Sequence, residues 1–139
     1  MPDAKRLLMV VSAFIILALG LIHLVYTFWG PKLLPRDAAL IDAMKAVPLA
    51  ITSNTTVWKA WIGYNASHSM ALILFGLVYG YLAIVQPNAL FGSSFLQLVG
   101  FLLLAGLAIL GRAYWFAVPF AGISASLLCY VASVVLSRA

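Results

Sequence analysis

The sequence predicts an all-α integral membrane fold: a four-helix antiparallel bundle with a short amphipathic surface helix between helices 1 and 2. Hydrophobic residues make up 65% of the 139 residues and charged residues only 8%, whereas soluble domains average about 25% charged residues. A small soluble domain cannot hide so much apolar surface. The apolar runs are continuous and do not alternate, which indicates helices, since a helix satisfies its own backbone groups in lipid.

Four apolar runs are long enough to cross the hydrocarbon core, which takes roughly 20 helical residues. They cover residues 7–29, 58–85, 90–110 and 115–136. The first run has the basic start of a signal peptide, but no cleavage site and polar mature segment follow it, so we predict a retained helix. The length indicates one transmembrane domain over residues 1–139.

The connection between the first two spans is the longest. Residues 37–47, DAALIDAMKAV, have an N-cap at Asp37 and apolar residues on one face, which predicts a short helix on the membrane surface. Pro48 ends this helix, and the polar stretch TSNTT at 52–56 is expected to cap the second span. The other two connections are predicted to be tight turns, the first of them QPNALFGSS.

The positive charge does not indicate nucleic-acid binding. Eight Lys and Arg residues stand against three Asp and Glu, and the cations lie between apolar runs, where they anchor helices to lipid head groups. We therefore expect membrane lipids as partners and no nucleic acid. Five cations on the long-loop side against three on the side of the termini favour periplasmic termini.

Small residues recur at helical spacing in two spans. Gly76 and Gly80 form a GxxxG pattern in the second span, and Ala117, Ala121 and Ala125 form a stripe in the fourth. Such residues let helix backbones approach closely in a membrane. They fit either a homodimer interface or packing inside the bundle, and with four helices in one chain the second interpretation is favoured.

Both histidines lie within predicted spans, about 9–15 Å from the long-loop face at 1.5 Å per helical residue. Asn65 is three residues before His68 and therefore shares its helix face. Tryptophans and further polar residues lie near the same face, so helical geometry predicts a polar pocket with aromatic walls. Its expected ligand-binding residues are His23, Tyr26, Trp61, Asn65, His68, Arg112 and Tyr114.

Ionisable residues inside a membrane are candidates for function, and three interpretations of this cluster stay open. The histidines can fasten two helices by hydrogen bonds. They can line a pocket for a small apolar or amphipathic ligand such as a lipid or a quinone. As a third alternative, two imidazoles at matched depth on facing helices can ligate a haem iron. With Cys129 the only cysteine, no other metal site is expected.

No catalytic motif is present, so no catalytic residue is predicted, and the sequence favours a protein that is not an enzyme. The main alternative to ligand binding is an accessory or structural subunit of a larger membrane complex. Function is expected on the long-loop side, because the other side of the predicted bundle resembles plain connection between helices.

Three stretches carry a resemblance to a known family: GLIHLVYTFWGPKLLPRD, TTVWKAWIGYNASHSMALILFGLVYGYLA and YWFAVPFAGI. Together they resemble a family of small, uncharacterised bacterial integral membrane proteins with four predicted spans. The resemblance covers most of the chain. It implies a multi-pass protein of the bacterial cytoplasmic membrane and assigns no role to any residue.

Overall fold

The structure, a computed structural model, describes residues 4–138. Its elements are α1 Ala4–Phe28, α2 Ala38–Ala46, β1 Pro48–Leu49, β2 Thr52–Thr56, α3 Val57–Val85, α4 Pro87–Gly92, α5 Ser94–Tyr114 and α6 Ala117–Arg138. Four helices, α1, α3, α5 and α6, are long and apolar enough to cross a membrane. This confirms the predicted all-α fold with four spans. The single domain predicted over 1–139 stays a prediction, and residues 1–3 and 139 lie outside the described residues.

Local chemistry sets the ends of the long helices. The amide of Trp29 donates to the carbonyl of Val25 after the last turn of α1. Gly30 follows at a φ of +85°, a left-handed conformation that glycine adopts without steric cost and that commonly ends helices. The Ser93 side chain caps α5 by accepting the amide of Leu96.

The long connection contains one predicted element and one unpredicted element. As predicted, the Asp37 side chain caps α2 by accepting the amide of Ala39. The stretch TSNTT does more than cap a helix: it forms β2, which pairs antiparallel with β1 through a register irregularity. Its β-branched threonines suit a strand. Thr56 still caps α3, since its hydroxyl accepts the amide of Lys59 at 3.4 Å.

The second connection is also more ordered than the predicted tight turn. Residues Pro87–Gly92 form α4, with proline in the first turn, where its missing donor costs nothing. Leu90 of this helix is fully buried, although the sequence placed it at the start of the third span. A short helix thus stands where a tight turn was predicted, and α5 begins only at Ser94.

The chain divides into two compact units. The larger unit, within the described residues, consists of 4–19 and 72–138, and the smaller unit is Gly20–Ala71. Every buried hydrophobic side chain of residues 4–138 belongs to the larger unit: Met9, Ala13, Ile16, Leu72, Phe75, Tyr79, Ala83, Leu90, Leu104, Leu107, Ile123 and Tyr130. The larger unit therefore has the apolar core of the described chain.

Within the larger unit, neighbouring helices run antiparallel. Near the start of α1, the Arg6 guanidinium donates to the carbonyls of Ala83 and Ile84 in the last turn of α3. In the same part of α1, the carbonyl of Lys5 accepts the Ser133 hydroxyl near the end of α6. The first turns of α1 thus lie beside the last turns of both α3 and α6.

The two small-residue patterns have different surroundings. A Cβ atom at Gly76 would lie 2.6 Å from Leu17 Cβ and 2.8 Å from the Ala13 carbonyl oxygen. The GxxxG pattern therefore packs inside the bundle, as favoured from the sequence. The alanine stripe does not, because Ala117, Ala121 and Ala125 are all exposed. Rotation of α6 about its axis places Ile123, Ser126 and Tyr130 in the core instead.

The smaller unit comprises the end of α1, α2, the strand pair and the start of α3. Apart from Gly20, its buried residues are the hydroxyl-bearing Thr27 and Ser69. Lys45 of α2 places its Nζ atom 5.5 Å from the Trp58 ring centroid in α3, a favourable cation–π arrangement. Polar contacts thus hold much of this unit together.

Candidate ligand-binding site

The candidate site lies in the smaller unit, where α1 and α3 bring three polar side chains together. His23 of α1 forms a hydrogen bond of 3.0 Å between its Nε2 atom and Asn65 Oδ1 of α3. The His23 and His68 ring centroids are 5.1 Å apart, with the rings edge to face at 76°. The sequence placed the two histidines at similar depth on neighbouring helices, and this contact confirms that geometric expectation.

A chain of hydrogen bonds fixes how His23 uses its two ring nitrogens. The Asn65 side-chain amide donates through Nδ2 to the Trp61 carbonyl at 2.8 Å. That bond leaves Oδ1, which can only accept, facing His23. The Nε2 atom of His23 therefore carries a proton and donates it. In a neutral imidazole with this tautomer, Nδ1 keeps a lone pair and is an acceptor.

Two hydroxyls reinforce the backbone beneath these side chains. Thr27 donates to the His23 carbonyl at 2.8 Å, and Ser69 donates to the Asn65 carbonyl at 2.9 Å. Each hydroxyl lies four residues after its acceptor, which satisfies it inside its own helix. Neither residue was predicted to belong to the site. The signal in the sequence was a Ser or Thr four residues after His23 and again after Asn65.

Two aromatic side chains, each about one helical turn from a cluster residue along its helix, are partly open to the surroundings. Trp61 is 40% exposed and Tyr26 is 37% exposed. The Lys32 Nζ atom lies 5.8 Å from the Tyr26 ring centroid, which brings a cation from the long connection to this aromatic face. The smaller unit thus combines an oriented imidazole with accessible apolar ring surface.

Two predicted site residues lie in the larger unit. Arg112 and Tyr114 occupy the last turn of α5, and both are exposed. Their membership of the site stays a prediction. Of the seven predicted residues, His23, Asn65 and His68 meet through their side chains, and Trp61 joins them through its backbone carbonyl.

A second polar network, which was not predicted from the sequence, lies in the larger unit. Gln97 of α5 donates through Nε2 to the Leu90 and Phe91 carbonyls near the end of α4. Its Oε1 atom accepts an N–H of Arg138 at 2.8 Å, and its own carbonyl accepts the Tyr130 hydroxyl at 2.9 Å. Gln97 is a polar residue inside a predicted span, and that was the signal for this network.

A serine pair joins α1 and α6 in the same unit. Ser126 donates its hydroxyl to the Ser12 carbonyl at 2.9 Å. Because that proton is used, the 2.8 Å contact between the two hydroxyls must have Ser12 as donor. Both side chains are fully buried. The described larger unit is therefore rich in internal polar bonds and is more than connection between helices.

The histidine pair does not fit the haem alternative as it stands. Two axial imidazoles would lie on opposite faces of a macrocycle, whereas the His23 and His68 rings are in edge-to-face contact. The Nε2 atom of His23 is also engaged by Asn65. Within residues 4–138, no group of three or more His, Cys, Asp or Glu side chains is placed to hold a metal ion.

The chain matches no family model, no curated protein and no solved structure.

Proposed function

We propose that this multi-pass membrane protein binds a small apolar or amphipathic molecule at the cluster of His23, Asn65 and His68. The supporting observation is that Asn65 orients His23. The Nδ2 atom of Asn65 donates to the Trp61 carbonyl, and its Oδ1 atom accepts the hydrogen bond from His23 Nε2. A half-buried imidazole held in one tautomer, beside exposed aromatic rings, has the convergent polar groups and apolar walls of a small-molecule site. The proposal includes no chemical reaction.

The tautomer narrows the ligand class. The Nε2–H of His23 donates to Asn65, so the acceptor that His23 offers a ligand is Nδ1. This favours a ligand that donates a hydrogen bond. A quinol hydroxyl or a lipid head-group hydroxyl meets this requirement, while a quinone offers only carbonyl acceptors. Tyr26 and Trp61 supply exposed ring surface for the apolar part of such a ligand.

The test is an anaerobic titration of the full-length protein in mild detergent with decylubiquinol and with decylubiquinone. Trp61 emission reports binding, and a Trp61→Phe variant identifies its share of the signal. We expect the quinol to bind roughly fivefold more tightly, because one additional hydrogen bond is worth about 1 kcal/mol. His23→Leu should weaken quinol binding to the level of the quinone.

Tyr64→Leu is the matched control, because Tyr64 directly precedes Asn65 in α3 and its side chain is exposed. It should leave both affinities unchanged. Equal quinol affinity in the wild-type protein and in His23→Leu would refute ligand binding at this cluster.

A second candidate function is that of an accessory subunit, or of one half of a homodimer. The observation in its favour is the alanine stripe of α6, Ala117, Ala121 and Ala125, which is exposed and would allow close approach of another helix. Ala121→Leu should then release a partner or convert a dimer to a monomer on native gel electrophoresis of mildly solubilised membranes. An unchanged migration would count against this role.

The location we propose is the bacterial cytoplasmic membrane, on the resemblance of three stretches of the sequence to a bacterial four-span family. We also propose that α2 lies on the membrane surface. Support for this comes from its amphipathic sequence and from its having no buried residue. Fractionation of membranes that contain the expressed protein, followed by labelling of cysteines introduced at Asp42 and Met44, tests both placements.

A further inference from the structure

A shallow groove lies in the larger unit between the first turns of α1 and the last turns of α3. It has a volume of about 240 Å³, and its lining residues are Arg6, Leu7, Val10, Ala83 and Ile84. Leu7 and Ile84 are both more than half exposed. The groove is thus an apolar surface depression between two helices, and its lining includes a single guanidinium.

The Arg6 guanidinium is anchored but not saturated by its neighbours in the described chain. Its Nε atom donates to the Ala83 carbonyl at 3.1 Å, and one Nη atom donates to the Ile84 carbonyl at 2.7 Å. An arginine has five N–H donors, so donors remain after these bonds. Because the anchoring partners are backbone carbonyls, they leave the positive charge uncompensated.

The described charges of the larger unit all have one sign. Lys5 places its Nζ atom 5.5 Å from the Phe91 ring centroid, and Arg138 donates to Gln97 and Ser94. Within residues 4–138 the larger unit contains cations and no acid, since the described acids belong to the smaller unit. Asp3 lies outside the described residues. The larger unit therefore offers fixed positive charge beside an apolar groove.

We propose that this groove binds an anionic phospholipid, with the phosphate on Arg6 and an acyl chain along Leu7, Val10 and Ile84. Guanidinium donors match phosphate oxygens in geometry and charge. The acyl chain suits the apolar walls, and a net negative head group complements Arg6 and the positive charge of the larger unit. This site shares no residue with the histidine cluster, so the test of lipid binding here is independent of the test of ligand binding there.

Native mass spectrometry of the full-length protein tests this site, with equimolar phosphatidylglycerol and phosphatidylcholine of identical acyl chains. The wild-type protein should retain phosphatidylglycerol preferentially. Arg6→Gln should lower its retention about fivefold, the change expected for one cation near a lipid phosphate. Val10→Trp keeps the charge but fills the groove, so it should also reduce retention. Arg36→Gln, which removes an exposed arginine of the smaller unit, should have no effect.

Three outcomes would overturn the proposal. They are equal retention of the two lipids by the wild-type protein, unchanged retention in a folded Arg6→Gln variant, and displacement of the lipid by glycerol 3-phosphate, which would show recognition of the anion alone. Circular dichroism establishes which variants fold. If Arg6→Gln does not fold, Val10→Trp decides: undiminished phosphatidylglycerol retention in that variant refutes the groove.

Discussion

The polar residues of the two units are used in different ways. In the larger unit, Ser12, Gln97 and Ser126 are buried and bonded to groups on neighbouring helices. In the smaller unit, His23 and His68 are only half-buried, and the bond from His23 to Asn65 uses one of its two ring nitrogens. A polar residue whose donors and acceptors are consumed inside the protein fastens helices. The acceptor that His23 keeps on Nδ1, together with accessible aromatic surface, is why we propose a binding site in the smaller unit.

The two units also differ in how much apolar surface they bury. The larger unit has all the buried hydrophobic side chains of the described residues, whereas the buried side chains of the smaller unit are hydroxyls. Regions with few buried apolar contacts open more easily than a packed core. We therefore expect substitutions in the larger unit to cost more stability than equivalent ones in the smaller unit.

The largest effect is expected where helices approach most closely. Gly76→Ala would place a Cβ atom 2.8 Å from the Ala13 carbonyl oxygen, and because backbone cannot give way, we expect a loss of about 2–3 kcal/mol in the free energy of unfolding. Detergent-induced unfolding followed by circular dichroism measures it. In Gly106→Ala the new Cβ meets nothing within 4 Å, so that variant should be neutral or slightly stabilised. Equal stabilities of the two variants would contradict the close contact of α1 and α3.

Gln97→Leu should have the next largest effect. It deprives the Leu90 and Phe91 carbonyls and the Arg138 guanidinium of their partner, which should cost about 1–3 kcal/mol. The same unfolding measurement applies. Gln86→Leu is the matched control, because Gln86 is exposed and makes no side-chain bond at its cap position. If both variants lose the same stability, the Gln97 network does not stabilise the larger unit.

Asn65→Leu tests the smaller unit in the same assay. It breaks the bond to His23, and an interhelical hydrogen bond in a membrane protein contributes about 0.6–1.7 kcal/mol. The loss in the free energy of unfolding should be smaller than that of Gln97→Leu. Asn88→Leu, at an exposed position of α4, is the control and should leave that free energy unchanged. A larger loss for Asn65→Leu than for Gln97→Leu would reverse the comparison between the units.

The smallest effect is expected at the cap of α2. Asp37→Ala removes the acceptor for the Ala39 amide, which should destabilise this helix by about 1 kcal/mol. Hydrogen exchange should quicken about fivefold at the first amides of α2, while global unfolding stays unchanged. Asp42→Ala, in the same helix but away from the cap, should leave exchange at those amides as it is. A change in global stability would mean that α2 unfolds together with the bundle.

Much of the candidate site was predictable. His23 and His68 were placed at similar depth from helical rise, and Asn65 was placed on the face of His68 from helical spacing. The direction of the hydrogen bonds was not predictable, since it depends on the Trp61 carbonyl as the partner of Asn65. Arg112 and Tyr114 entered the prediction from their closeness to a turn, and closeness along the chain does not specify which side chains meet.

The sequence by itself determined the number of long apolar helices and the cap of α2, because apolar length and capping chemistry act within one segment. It left open which polar residues would be buried. His23 and Gln97 both look like single polar residues in apolar spans, and only the tertiary structure separates them. Burial depends on how each helix is rotated about its axis, and close packing at positions such as Gly76 sets that rotation. The rotation of α6 about its own axis leaves its alanine stripe exposed and brings Ser126 to Ser12.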